Sequence, residues 1–230
     1  MTKIDRRKKY IAVLDTETAN GFIENEKLNL NFSLVYDIGY QIIDKKGNVY
    51  ISRSFAIREI FLDKSLMTSA YYAEKIPQYW EEIKTGQREL VNFFTARKIF
   101  FADCEKYNVT TVSAHNARFD LNALNNTARL LTGSKCRYFF KYNTEIWDTL
   151  KMSRDVFNTL KGYQYFCKSN NYMTKHKKPQ CRLTAEILFR YITGNNEFIE
   201  KHKGIDDVII ESQILIYLLR SHKKMRKSLF

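Results

Sequence analysis

Residues 10–20 read YIAVLDTETAN. The run from Tyr10 to Leu14 has no polar face, which suits a short strand buried on both sides. The spacing predicts that this strand ends at Asp15-Thr16-Glu17. Residues two apart on a strand project to the same face, so Asp15 and Glu17 repel one another unless a cation lies between them. At the carboxyl end of a strand they would stand at the rim of a sheet, where open α/β sheets bind ligands. Taken alone, Asp-Thr-Glu also reads as a helix cap or a solvated loop, so the rest of the chain decides.

Outward from this strand, a polar loop precedes LVYDIGYQIID and VYISRSFAI, which flank the turn signal KKGN and read as a hairpin. Residues 57–88 have mixed helical character. From Glu89, apolar residues at helical spacing (Leu90, Phe93, Phe94, Ile99, Phe100) predict a helix. A β-branched strand follows at VTTVSAHN, then a helix closed by Gly133. NTEIWDTLKM reads as a strand passing into a helix, residues 160–191 as helical with a basic interruption, and about 204–221 as a last long helix. Strand, hairpin, helix, strand, helix, strand, helices implies an α/β fold: a mixed sheet of about five strands, strand 2 antiparallel to strand 1, with helices on its faces.

Two further acids fall beside apolar elements. Asp120 opens the helix after the VTTVSAHN strand. Asp207 shares a helical stripe with Ile210, Ile214 and Leu218, where a buried acid needs a partner, and His202 precedes it by five residues. If Asp15, Glu17, Asp120 and Asp207 converge, four negative charges meet in one place. A divalent metal makes that tolerable, and all-oxygen ligands select hard cations, Mg²⁺ or Mn²⁺. Asp148 is expected to cap a helix.

The chain has 230 residues, enough for one domain with a substantial core. Its formal net charge of +13 speaks about partners. Lys and Arg cluster at residues 6–9, 168–182 and 223–227. The middle cluster, with Tyr172 among its cations, fits a nucleic-acid backbone and bases, with Lys175, Lys177 and Lys178 as candidate contacts; the last cluster reads more simply as a solvated terminus. No apolar run approaches the roughly 20 residues that span a bilayer, and no signal-peptide core is visible. The expectation is an intracellular, cytoplasmic protein with no membrane partner. The scattered Cys104, Cys136, Cys167 and Cys181 are expected as free thiols.

VLDTET, HNARFD and HKGIDD together resemble the three motifs of the DEDDh family of 3′–5′ exonucleases, which includes the proofreading epsilon subunit, RNase T and oligoribonuclease. Asp15 and Glu17 match the first motif, His115, Asn116 and Asp120 the second, and His202 and Asp207 the third, over about residues 9–221. The resemblance implies a ribonuclease H-like fold and one exonuclease domain over 1–230, with basic N- and C-terminal tails. It implies hydrolysis of single-stranded DNA from the 3′ end, releasing nucleoside 5′-monophosphates; the alternatives are an exoribonuclease acting on RNA ends or short oligoribonucleotides, and a catalytically silent binding module. It implies two Mg²⁺ or Mn²⁺ ions about 4 Å apart, held by Asp15, Glu17, Asp120 and Asp207, with His202 as general base. Thr16, His115, Asn116 and Phe119 are implied substrate contacts, and Tyr71, Tyr72 and Phe119 are candidates to stack on terminal bases. A DNA polymerase or another replication protein is a further candidate partner. The third motif departs from the family in carrying Gly204 where Ala is common, a loss of helix propensity.

Overall fold

The computed structural model describes residues 4–5, 7–20, 23–24, 27–28, 32–70 and 73–230. The opening stretch forms β1 (Tyr10–Asn20), and the hairpin forms β4 (Ser33–Asp44) and β5 (Val49–Ile57), with a two-stranded ribbon of β2 (Ile23–Glu24) and β3 (Lys27–Leu28) between β1 and β4. Further on lie β6 (Glu89–Val91), β7 (Thr111–Ala114) and β8 (Glu145–Asp148). The main sheet has the order β6-β5-β4-β1-β7-β8. β4 runs antiparallel to β1 and β5, while β1, β7 and β8 are mutually parallel, as expected.

The sheet has six strands rather than about five. The extra strand, β6, pairs parallel to the end of β5. The sequence places Leu90 and Val91 in the following helix because three residues are too few to reveal a period. That helix starts at Phe93, whose N–H donates to the Glu59 carboxylate at 3.0 and 3.2 Å.

The helices are α1 (Arg58–Phe61), α2 (Lys64–Met67), α3 (Ile76–Lys84), α4 (Phe93–Lys106), α5 (Ala117–Thr132), α6 (Thr149–Phe157), α7 (Lys161–Ser169), α8 (Ala185–Thr193) and α9 (Gly204–Arg220). Alternation along β1 separates two cores. Tyr10, Ala12 and Leu14 pack with residues of α1 to α5, whereas Ile11 and Val13 pack with α6 to α9. β4 lies between them with all twelve residues buried. No helix among the described residues is long and apolar enough to cross a membrane.

The C-terminal residues are not a solvated tail. The Asp148 N–H donates to the Lys227 carbonyl at 2.9 Å, and the Leu229 N–H to the Ile146 carbonyl at 2.8 Å, so the segment pairs along the open edge of β8. Leu229 is buried there, and Arg226 pairs with Asp155 at 2.7 Å. The lysine-rich composition hid one apolar anchor.

Candidate active site

β1 outlasts its parallel neighbour. Its pairing with β7 stops at Val13 and Ser113, but it stays paired with β4 as far as Asn20, so the strand does not end at the acidic residues as its apolar run suggested. Beyond Val13 the side of β1 toward β7 is open, and the start of α5 fills the gap. Asp120 Oδ1 accepts the Thr16 N–H at 3.1 Å and the Thr16 hydroxyl at 2.8 Å, completing bonds that β7 no longer supplies. The same alternation that separates the cores turns Asp15 and Glu17 toward α9, which brings Asp207. One oxygen from each of Asp15, Glu17 and Asp207 lies within 4.8 Å of the others.

Asp15, Thr16, Glu17, His115, Asn116, Phe119, Asp120, His202 and Asp207 all line one cleft of about 560 Å³. Phe119 belongs to no core cluster and borders this cleft half-exposed. Tyr71 and Tyr72 lie outside the described residues. Lys175, Lys177 and Lys178 do not line the cleft. They crown the tip of a hairpin whose stem is held by Thr174 N–H to the Gln180 carbonyl (2.8 Å) and Arg182 N–H to the Tyr172 carbonyl (2.9 Å). Thr174, Gln180 and Arg182 of that stem do line it, so the exposed lysines stand beside its mouth.

The acids behave as a crowded, dehydrated group. Burial, then the neighbouring carboxylates of Glu211 and Asp120, holds Asp15 well above the ordinary carboxyl range. Burial and then Asp207 raise Glu17 to about 9. Burial and then Glu200 raise Asp207 to about 8, and burial raises Asp120 to about 7 against its bonds to Thr16. Asp207 Oδ1 is buried with no hydrogen-bond donor. Buried acids without donors are costly, and clustered carboxyls in this state suit a divalent cation. The residues present therefore fit the metal ions that the motifs imply.

Glu211 is a fifth acid here, and the motifs give no sign of it. It is buried one turn beyond Asp207, burial followed by Asp120 holds it well above the ordinary range, and it accepts the His115 N–H at 3.2 Å. Its signal in the sequence was the i,i+4 step from Asp207 along the buried stripe. His115 is a tie between elements. Its Nε2 lies 2.8 Å from the Leu183 carbonyl, so that nitrogen donates, and Nδ1 lies 3.0 Å from the Thr149 hydroxyl, which also stands 3.3 Å from the Ala114 carbonyl. Burial lowers its pKa, which agrees with a neutral ring. Asp148 caps α6 through the Leu150 N–H at 2.9 Å, as expected, and also accepts the Asn116 N–H at 3.2 Å, fixing Asn116 in its left-handed conformation. Arg154 and Arg182 add exposed guanidinium groups to the cleft wall, in positions that no motif marks.

His202 sits on the strap between α8 and α9, half-buried, with φ +51°. Such a backbone is disfavoured for a non-glycine residue and persists where neighbours over-determine it. They do so here. Lys75 Nζ donates to the Lys201 carbonyl, Lys203 pairs with Glu82, and the Gly204 N–H donates to Asp37 Oδ2 at 3.0 Å. Asp37 also accepts from Tyr79 at 2.6 Å and pairs with the fully buried Arg88, which binds Glu82 at 2.8 Å. A chain of charges, buried at Asp37 and Arg88 and half-buried at Glu82 and Lys203, thus runs from β4 to the strap. Gly204 itself is required by packing: a Cβ there would lie 2.8 Å from the Gly39 N, and one on Gly39 would lie 2.2 Å from the Gly204 carbonyl carbon. Burial, then the Lys75 charge, lowers the pKa of His202.

The fold is the ribonuclease H-like fold of exonucleases, and the cleft carries the acidic residues at its centre. Neither a protein-family model nor a curated protein sequence matches the chain. Among solved structures, it is similar to the 3′-exonuclease that recognises the 3′ end of the histone mRNA stem-loop, with TM-score 0.60 and 11% identity over 98% of this chain and 69% of that one. It is also similar to cell-death related nuclease 4, with TM-score 0.56 and 10% identity over 95% and 66%. A third likeness is to S. pombe Pop2p in its Mg²⁺- and Mn²⁺-bound form, with TM-score 0.50 and 14% identity over 92% and 83%.

Proposed function

We propose that this protein is a metal-dependent 3′–5′ exonuclease of the DEDDh type acting on single-stranded nucleic acid. The observation that carries the reading is the convergence of Asp15, Glu17, Asp120 and Asp207 with His202 in one cleft. Asp15, Glu17 and Asp207 would hold divalent ions directly, and Asp120, whose Oδ1 is engaged by Thr16, would contribute its other oxygen. Bound there, two ions would supply the Lewis acidity that polarises the phosphate and lowers the pKa of the attacking water. His202 takes the proton of that water. The water oxygen bonds to phosphorus, the bond to the 3′ oxygen breaks, that oxygen takes a proton from solvent water to become the new 3′ hydroxyl, and a nucleoside 5′-monophosphate leaves. Phe119 offers a face for the terminal base. Arg154, Arg182 and the hairpin lysines meet the phosphates upstream. A silent binding module is disfavoured because every acid of the motifs, and the histidine, is in place.

DNA is the substrate we assign first. RNA is the second reading, because the neighbour of TM-score 0.60 is a histone mRNA 3′-exonuclease. A replication protein as partner belongs to the DNA reading. The reducing, cytoplasmic setting we assign rests on the scattered spacing of the four cysteines, with no CxxC pair. The test offers purified protein matched end-labelled DNA and RNA strands with Mg²⁺ or Mn²⁺. Mononucleotides should appear first from the 3′ end and EDTA should stop them. Activity that survives EDTA, or cleavage of circular single strands, overturns the reading.

A further inference from the structure

A second donor set adjoins the acidic centre. One ligand atom each from Glu200, His202 and Asp207 lies within 4.8 Å of the other two. His202 Nδ1 stands 3.9 Å from Glu200 Oε2. Asp207 belongs both to this set and to the one it forms with Asp15 and Glu17. The two sets differ in chemistry. Three carboxylates offer only oxygen, which suits Mg²⁺ or Mn²⁺. Two carboxylates and an imidazole offer nitrogen as well, a donor set that Zn²⁺ and its d-block neighbours take in preference to Mg²⁺.

A feature common to both sets also points to a ligand here. Asp207 is only 5% exposed, and its Oδ1 accepts no hydrogen bond. A buried carboxylate oxygen without a donor is costly and marks a place for a cation. Glu200 is held toward the site from behind: its N–H donates to Glu186 Oε2 at 3.0 Å, and its side chain is 13% exposed. In a tetrahedral zinc site with bonds of about 2.0 Å, ligand atoms lie roughly 3.3 Å apart. Closing the present set around such an ion therefore takes side-chain shifts on the order of an ångström.

We propose that Glu200, His202 and Asp207 form an inhibitory site for Zn²⁺ or a similar d-block cation, separate from the all-oxygen set with which it shares Asp207. Occupation would engage the imidazole lone pair that accepts the proton of water, and would draw Asp207 away from the catalytic ions. The inhibitory consequence rests on the exonuclease reading; the binding does not. Mg²⁺ would compete poorly, because it has little preference for the nitrogen.

The experiment uses the full chain stripped of metal and without substrate. Co²⁺ binding is followed by visible absorption and Zn²⁺ binding by calorimetry. A four-coordinate site containing His202 should give intense Co²⁺ bands that Zn²⁺ abolishes. Glu200→Gln should weaken both cations at least tenfold, and His202→Asn should remove the intense bands, with folding of both variants checked by circular dichroism. In the exonuclease assay, the Zn²⁺ concentration for half-inhibition, measured against each protein's own Mg²⁺ rate, should rise by the same factor in Glu200→Gln. Weak bands of the six-coordinate all-oxygen kind, or a Zn²⁺ affinity unchanged by Glu200→Gln, overturn the site. A chain that binds Zn²⁺ through Glu200 but degrades no nucleic acid would sink the exonuclease reading and leave this site standing.

Discussion

At the scale of single residues, the exonuclease reading gives cations to the carboxylates and a proton to His202. Asp207 offers an undonated oxygen beside Asp15 and Glu17, while His202 stands on the strap five residues earlier. His202→Ala should keep the acidic ligands and lose roughly 10²- to 10⁴-fold in rate, the usual worth of a general base. Asp207→Asn should instead show weakened metal affinity, partly rescued by excess Mn²⁺. The pH profile adds a sign. Burial and then Lys75 hold the His202 pKa below that of an ordinary imidazole, and a general base acts in its neutral form. The rate should therefore rise with pH through a midpoint below about 6.5, reach its plateau near neutrality, and lose this limb in His202→Ala. Equal metal dependence in the two variants would end the assignment of separate roles. Near-wild-type turnover in His202→Ala would remove the base.

At the scale of elements, the three motif stretches were legible because each is local: an apolar strand, a strand-to-helix turn, and a helix with a buried stripe. What joins them was not legible. Asp37 pairs with Arg88 across 51 positions and with the Gly204 N–H across 167, and no local period records such a pairing. Gly204 looked like a small loss of helix propensity, whereas its backbone lies against Gly39. Glu211 and β6 were hidden for the opposite reason, since their signals merge with those of the helices beside them. The anchor makes a prediction. Arg88→Met removes the guanidinium but leaves Asp37 buried, and breaking one side of a buried pair costs about 3–5 kcal/mol. Urea unfolding should show that loss, and Asp37→Asn added to Arg88→Met should recover part of it. If Arg88→Met is as stable as the wild type, Tyr79 and Gly204 satisfy Asp37 alone and the strap does not depend on the charge chain. The hairpin is tested apart from this. Each phosphate neutralised on a single strand contributes about −0.7 to the slope of log affinity against log salt. Changing Lys175, Lys177 and Lys178 together to Gln should flatten the slope of strand binding by up to about 2. An unchanged slope returns these lysines to an ordinary solvated surface.

At the scale of the whole molecule, a chain of net charge +13 gathers Asp15, Glu17, Asp120, Asp207 and Glu211 around one cleft. The excess of cations over the rest of the protein attracts a polyanion, while the cleft repels it until metal arrives. The same crowding ties stability to pH. Free carboxyls titrate near 4 in the unfolded chain, but in the fold Asp120, Asp207 and Glu17 are raised to about 7, 8 and 9. The folded form therefore binds protons more tightly than the unfolded one. The stability this contributes is fully present below about pH 4 and is lost as pH climbs through those raised values. The melting temperature of the metal-free protein should accordingly fall between pH 5 and pH 9. Divalent metal competes with those protons and stabilises by mass action, so Mg²⁺ or Mn²⁺ should raise the melting temperature more at pH 8 than at pH 5.5. Asp15→Asn removes one of the crowded charges and should raise the metal-free melting temperature at pH 8 while reducing the gain from metal. Differential scanning calorimetry across this range distinguishes the outcomes. A melting temperature that does not change with pH, or a larger metal effect at the acidic end, would mean that fixed cations such as Lys75 already balance the acids. In that case Asp15 and its neighbours would be structural, and the repulsion in the opening stretch of the sequence would have been relieved without metal.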